Sequence, residues 1–122
     1  MPENQKAAAA LDDEKYLYLT TRGRKTGRPR EIEIWFTHYY GRFYIIAEFQ
    51  QSQWVQNLRA NPDVQIRVGE TIWQARARLL SPEKEAELIR SVQELSRTKY
   101  GWGDGLVVEL VPEGETSLPS SA

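Results

Sequence analysis

Short stretches in which apolar and polar residues alternate, each closed by a glycine or proline turn, recur along this chain. Glu31–His38 shows the pattern best: Ile32, Ile34 and Phe36 share one face, and Glu31, Glu33, Trp35 and Thr37 the other. A period of two places successive side chains on opposite faces of a strand, whereas a helix needs apolar residues three and four apart. Tyr16–Thr21 repeats the pattern with Leu17, Leu19 and Thr21 together, and Val64, Ile66 and Val68 repeat it again. Phe43–Ala47 is a continuous apolar run, as expected of a strand covered on both faces. Thr71–Leu80 and Leu106–Val111 bring the expected strands to six. Gly23–Pro29, Tyr39–Arg42 and Gly69-Glu70 supply the turns.

Helical periodicity is confined to short segments. Ser52–Ala60 begins at a capping serine, places Trp54 and Leu58 on one face, and stops at Asn61-Pro62. Ser81-Pro82 is a helix opening, with Glu83 and Glu85 at the positive end and Ile89, Val92 and Leu95 on the apolar face. An Ala-rich arm or helix precedes the first strand. The fold class expected is mainly β (α+β): a six-stranded antiparallel barrel with two or three short helices. With 122 residues, one domain is expected. Residues 1–14 are expected to form an arm or short helix, residues 15–112 the barrel, and residues 113–122 a disordered tail.

Composition narrows the chemistry. The chain has no cysteine and a single histidine, His38, which excludes thiolate chemistry and disfavours a histidine metal centre or a triad. A net charge of -1 gives no global field toward nucleic acid or anionic membrane. Ala7–Leu11 is too short for a signal core, and no apolar run would span a bilayer, so a cytoplasmic protein is expected.

Against that near-neutral background, Arg22, Arg24, Lys25, Arg28 and Arg30 crowd into nine residues with no acid among them. Thr20, Thr21 and Thr26 add hydroxyls, and Gly23 and Gly27 let backbone N–H groups be exposed. Guanidinium forks, hydroxyls and free amides are the groups that hold a phosphate. On these residues alone the loop is equally an anion site or a solvated basic turn. Its glycines match neither a Walker loop nor a dinucleotide fingerprint.

Two segments decide between these readings by resemblance. Tyr18-Leu19-Thr20-Thr21-Arg22-Gly23-Arg24-Lys25-Thr26-Gly27-Arg28-Pro29-Arg30 resembles the signature of the deazaflavin-dependent nitroreductase and quinone reductase family. Trp54-Val55-Gln56-Asn57-Leu58-Arg59-Ala60-Asn61-Pro62 is similar to that family's Trp-x-x-Asn-Leu-x-x-Asn-Pro segment. The order and spacing agree from about Leu17 to Val111. The chain departs from the pattern at Glu31-Ile32-Glu33-Ile34 and at Glu48-Phe49-Gln50-Gln51, which bring in carboxylates and bulk.

The resemblance implies a split β-barrel of the pyridoxamine-phosphate-oxidase-like type. It also implies coenzyme F420 as cofactor, with FMN as the alternative used by related split barrels. The implied activity is hydride transfer to a small acceptor such as a quinone, nitro compound or activated alkene. A carrier of cofactor, haem or lipid without turnover is the competing expectation. Carried over by position, Arg24, Lys25, Thr26 and Arg30 would meet the cofactor phosphate. Ile32, Ile34 and Trp35 would run beside its ring system. Ala47–Gln50, Ala47 and Glu48 foremost, would face the ring or its side chain through backbone groups, and Trp54 and Asn57 would close the site. Tyr40, Tyr44 and Tyr100 are the candidate proton donors, Tyr100 foremost, and Tyr100 or Trp102 would lie near the substrate mouth. The expected partner is a small molecule, with no nucleic acid or membrane, and a homodimer is compatible with the fold.

Overall fold

The computed structural model describes residues 11–113. Residues 11–13 are helical. The elements that follow are β1 (Leu17–Arg22), β2 (Pro29–Ile34), β3 (Thr37–Tyr39), β4 (Arg42–Ala47), α1 (Gln53–Ala60), β5 (Asp63–Val68), β6 (Thr71–Leu79), α2 (Ala86–Tyr100) and β7 (Leu106–Pro112). The strands form one seven-stranded sheet in the order β2-β1-β5-β6-β7-β4-β3. Every pairing is antiparallel.

The expected alternation sets the two faces of this sheet. Leu17, Leu19, Phe43, Ile45, Val64, Ile66, Ala75, Val108 and Leu110 point to one side and make the main core. Burying a side chain of leucine or isoleucine size contributes roughly 1.5–3 kcal/mol. Leu58 of α1 joins this core, and Trp54 packs on its margin. A second, smaller core lies on the opposite face, where Tyr44 and Val107 meet Val92 of α2 and Leu80.

The sheet cannot be flat. Its two edge strands, β2 and β3, are consecutive in sequence and joined only by Trp35 and Phe36. Three Cα steps reach at most about 11 Å, whereas the edges of a flat seven-stranded sheet would stand about 29 Å apart. The sheet therefore curls until its edges meet. The two edge strands share no ladder among the described residues, which leaves the barrel split along one seam.

That seam accounts for the difference in strand count. Six strands were expected and seven are present, because Glu31–His38 is two strands rather than one. The backbone breaks at Trp35-Phe36 as the chain passes from one sheet edge to the other, and residues in the last turn of α2 satisfy the freed groups. The Tyr100 hydroxyl accepts from the Phe36 N–H (3.2 Å) and lies within donating distance of the Phe36 carbonyl (2.9 Å) and the Lys15 carbonyl (2.7 Å). Lys99 donates to the Phe36 carbonyl at 3.3 Å and rests over the Phe36 ring at 3.8 Å. Burial holds the Lys99 ammonium below its usual pKa.

Other boundaries also move. α2 begins at Ala86, because Ser81–Lys84 forms a turn in which the Lys84 and Glu85 N–H groups bond the Ser81 carbonyl. The Glu85 carboxylate reaches back to the Ser81 N–H at 2.9 Å. α2 runs on through Lys99 and Tyr100 and ends where Gly101 turns left-handed (φ 82°), a conformation open to glycine. Pro112, one residue past the expected last strand, closes β7, and the Glu113 N–H bonds the Gln74 carbonyl. The expectations for residues 1–10 and 114–122 lie outside the described residues.

Candidate active site

The basic segment is the β1–β2 hairpin loop, and its own hydrogen bonds shape it. The Gly23 N–H bonds the Arg28 carbonyl (2.8 Å) and the Gly27 N–H bonds the Gly23 carbonyl (2.7 Å). Gly27 sits at φ 74°, which a side chain would strain. The Arg28 N–H donates to Thr26 Oγ1 at 3.2 Å, so the threonine's own proton is free for an external acceptor. A Cβ on Gly23 would stand 3.0 Å from that same oxygen and crowd it.

α1 fixes this loop from the side. Asn57 is only 5% exposed, and its Oδ1 accepts from the Arg24 N–H (3.3 Å) and Nη1 (2.9 Å). Its amide donates to Thr21 Oγ1 at 3.2 Å. Asn57 thus ties the helix to β1 and aims Arg24.

Two adjoining clefts of about 580 Å³ each meet at Trp54, which lines both. The first is walled by Arg24, Lys25, Thr26, Arg30, Ile32 and Asn57, together with Thr21, Gly23, Glu31 and Gln53. The second is walled by Ile34, Trp35, Ala47 and Glu48, with Phe49, Trp102, Tyr16 and Glu33 beside them. The eleven residues expected at a cofactor all line one cleft or the other. β2 is an edge strand, so residues from both of its faces reach the clefts.

Tyr100 lines neither cleft. Its hydroxyl is engaged at the seam, burial pushes the phenol's pKa up, and its ring stacks on Trp35 at 4.5 Å with the planes 9° apart. It bears on the cleft by holding Trp35. Tyr16 and Gln53 were not singled out in the sequence, and Phe49 was expected to contribute only its backbone. Tyr16, Phe49 and Gln53 reach the clefts from the approach to β1, from the β4–α1 loop and from the start of α1, and no local pattern marks them. Glu33 accepts the Tyr18 hydroxyl at 2.6 Å, and this bond raises the Tyr18 pKa. Among the described residues, no group of three or more His, Cys, Asp or Glu side chains is placed to hold a metal, and no helix is long and apolar enough to cross a membrane.

Comparison with known proteins gives a consistent result. The family described as F420H(2)-dependent quinone reductase matches residues 2–103. An F420H(2)-dependent quinone reductase of Mycobacterium tuberculosis (strain H37Rv) is 31% identical over 90 residues, covering 69% of this chain and 60% of the relative's length. Among solved structures, an F420-H2 dependent reductase superposes with a TM-score of 0.62 at 22% identity, covering 79% of this chain and 92% of that one. A protein of Listeria innocua classed with the pyridoxamine 5′-phosphate oxidases gives a TM-score of 0.71 at 19% identity, covering 91% and 94%. The fold is therefore that of the split barrels, and the chain belongs to the F420H(2)-dependent quinone reductase family.

Proposed function

We propose that this protein binds coenzyme F420 and uses its reduced form to reduce a small planar acceptor, a quinone in the first instance. One observation carries the reading: two clefts, one rich in cations and one in aromatic rings, that share Trp54 as a wall. A deazaflavin cofactor has the same polarity along its length, with a phosphate at one end and a flat ring at the other. The donor set fits the phosphate, since Arg24, Lys25, Arg30 and the free Thr26 proton converge where Gly23 leaves room.

When bound, the reduced deazaflavin supplies the hydride. The chain's own residues bind and orient. Arg24, held by Asn57, and Lys25 anchor the anionic end. Trp54 and Trp35 give the ring end flat walls. Tyr16 and Ser52 are the hydroxyl-bearing residues of the aromatic cleft, so the proton that completes quinone reduction comes from them or from water in the open cleft. Tyr100 acts as a positioning residue behind Trp35.

The test is a fluorescence titration with coenzyme F420 and with FMN, using the native protein, Lys25→Ala and Arg24→Ala, followed by oxidation of reduced deazaflavin by a quinone. F420 should bind, and each variant should weaken it by about tenfold, as for one charge-assisted phosphate contact. Preference for FMN would move the protein to the flavin-using split barrels. Tight binding without turnover over a broad acceptor panel would make it a carrier, and no binding of either cofactor would sink the reading.

A further inference from the structure

The two clefts differ in charge, and the difference has a consequence for the acceptor. Arg24, Lys25 and Arg30 all line the first cleft. Among the described residues, neither Lys nor Arg lines the second, whose charged walls are Glu33 and Glu48. Neither carboxylate forms an ion pair with Lys or Arg among the described residues, although Glu33 accepts the Tyr18 hydroxyl, over whose ring Arg67 rests, so Glu48 is the less compensated of the two. Independently of these charges, the same cleft is a cage of rings: Tyr16, Trp35, Phe49, Trp54 and Trp102. Trp35 is 36% exposed and Phe49 64%, so both present ring surface to an incoming molecule.

An aromatic face is negative at its centre and attracts a cation held over it. Ring walls with carboxylates beside them are the recognised chemistry for organic cations, and the same field opposes a sulfonate or carboxylate. Both carboxylates fall where the chain departs from the sequence pattern it otherwise resembles. We infer that the aromatic cleft selects planar, cationic electron acceptors over anionic ones.

This inference rests on the proposed hydride-transfer reading. With an N-alkylphenazinium as acceptor, a C–H bond of the reduced deazaflavin breaks and an N–H bond forms on the phenazinium ring. The deazaflavin is oxidised by two electrons and releases its ring N–H proton to solvent, and the acceptor, having gained the hydride, becomes a neutral dihydrophenazine. No further oxidant is needed.

Three acceptors separate charge from shape: N-methylphenazinium, uncharged 2-methyl-1,4-naphthoquinone and anionic 1,4-naphthoquinone-2-sulfonate. With reduced deazaflavin as donor and the uncatalysed rates subtracted, the cation should have the lowest KM and the sulfonate the highest. Glu48→Gln and Glu33→Gln should each raise the KM of the cation by about threefold, the size expected of one exposed charge pair. They should lower that of the sulfonate, and the uncharged quinone should move less than either. Added salt should narrow the gap between the two charged acceptors.

A second readout needs no turnover. N-methylphenazinium should quench tryptophan emission of the cofactor-free protein at lower concentration in the native chain than in Glu48→Gln. Equal quenching of the two proteins, or a sulfonate used as well as the phenazinium, overturns the inference. Failure of deazaflavin to bind overturns the proposed function instead, and the quenching comparison still decides the charge preference.

Discussion

At the scale of single residues, the best-defined feature is how Asn57 organises the basic loop. One buried amide uses its oxygen on Arg24 and its nitrogen on Thr21, so the helix, the first strand and the loop share one set of bonds. Removing it leaves the buried Thr21 hydroxyl and the Arg24 N–H short of partners. Asn57→Ala should cost about 1–3 kcal/mol of stability, measured by chemical denaturation. It should also weaken deazaflavin binding, because Arg24 loses its aim. A variant that loses stability but keeps full affinity would show that Arg24 does not need Asn57. The Asn was expected at the site from the resemblance of the Trp54–Pro62 segment to the family's motif. Its role as a brace was not legible, since its partners lie 33 and 36 residues away.

At the scale of elements, the entry to α2 shows how charge and sheet cooperate. Glu109 in β7 is 1% exposed and takes the Tyr44 hydroxyl (2.8 Å), Arg42 (3.2 Å) and Arg78 (3.0 Å). Arg78 also reaches Glu85 at 2.6 Å, just ahead of the helix. Burial, then the bond to Glu109, pushes the Tyr44 phenol far above its usual pKa. For Glu85, the Ser81 N–H first and Arg78 second hold the carboxyl below its reference pKa of 4.5. A carboxyl with a depressed folded-state pKa adds stability above its unfolded value, and that stability is lost as pH falls through the folded value. The folded protein should therefore weaken as pH drops below about 4.5, the unfolded carboxyl value. Glu85→Gln should flatten part of that acid limb when denaturation midpoints are compared from pH 7 down to pH 3. Acid limbs of equal slope in the two proteins would show that Glu85 is not a contributor.

At the scale of the whole molecule, barrel closure depends on the two-residue link between the sheet edges. Phe36 is 1% exposed and tilts against Phe43, with ring centroids 5.9 Å apart. Its backbone is held by Tyr100 and Lys99 from the far end of the chain. Tyr100→Phe keeps the ring and its stack on Trp35 but removes the hydroxyl that serves Phe36 and Lys15. The expected loss is about 1–3 kcal/mol, read from denaturation midpoints, with deazaflavin affinity unchanged. Because the phenol is held above its usual pKa of 10, its share of stability is present below pH 10 and fades as pH rises further. If Tyr100→Phe instead left stability intact and abolished turnover, the hydroxyl would be a proton donor rather than a brace.

The sequence by itself determined the strand periodicity, the two faces of the sheet, the basic hairpin loop and the short helix carrying Trp54 and Asn57. Each is a local pattern set by side-chain period, turn residues and charge within a dozen positions. It could not show that Glu31–His38 is two strands, because the break at Trp35-Phe36 is imposed by the distance between sheet edges. Nor could it show that Tyr100 braces the seam while Tyr16, Phe49 and Gln53 reach the clefts. Those placements come from packing between segments far apart in the chain, and only the curled sheet brings the cationic loop and the aromatic cage together on either side of Trp54.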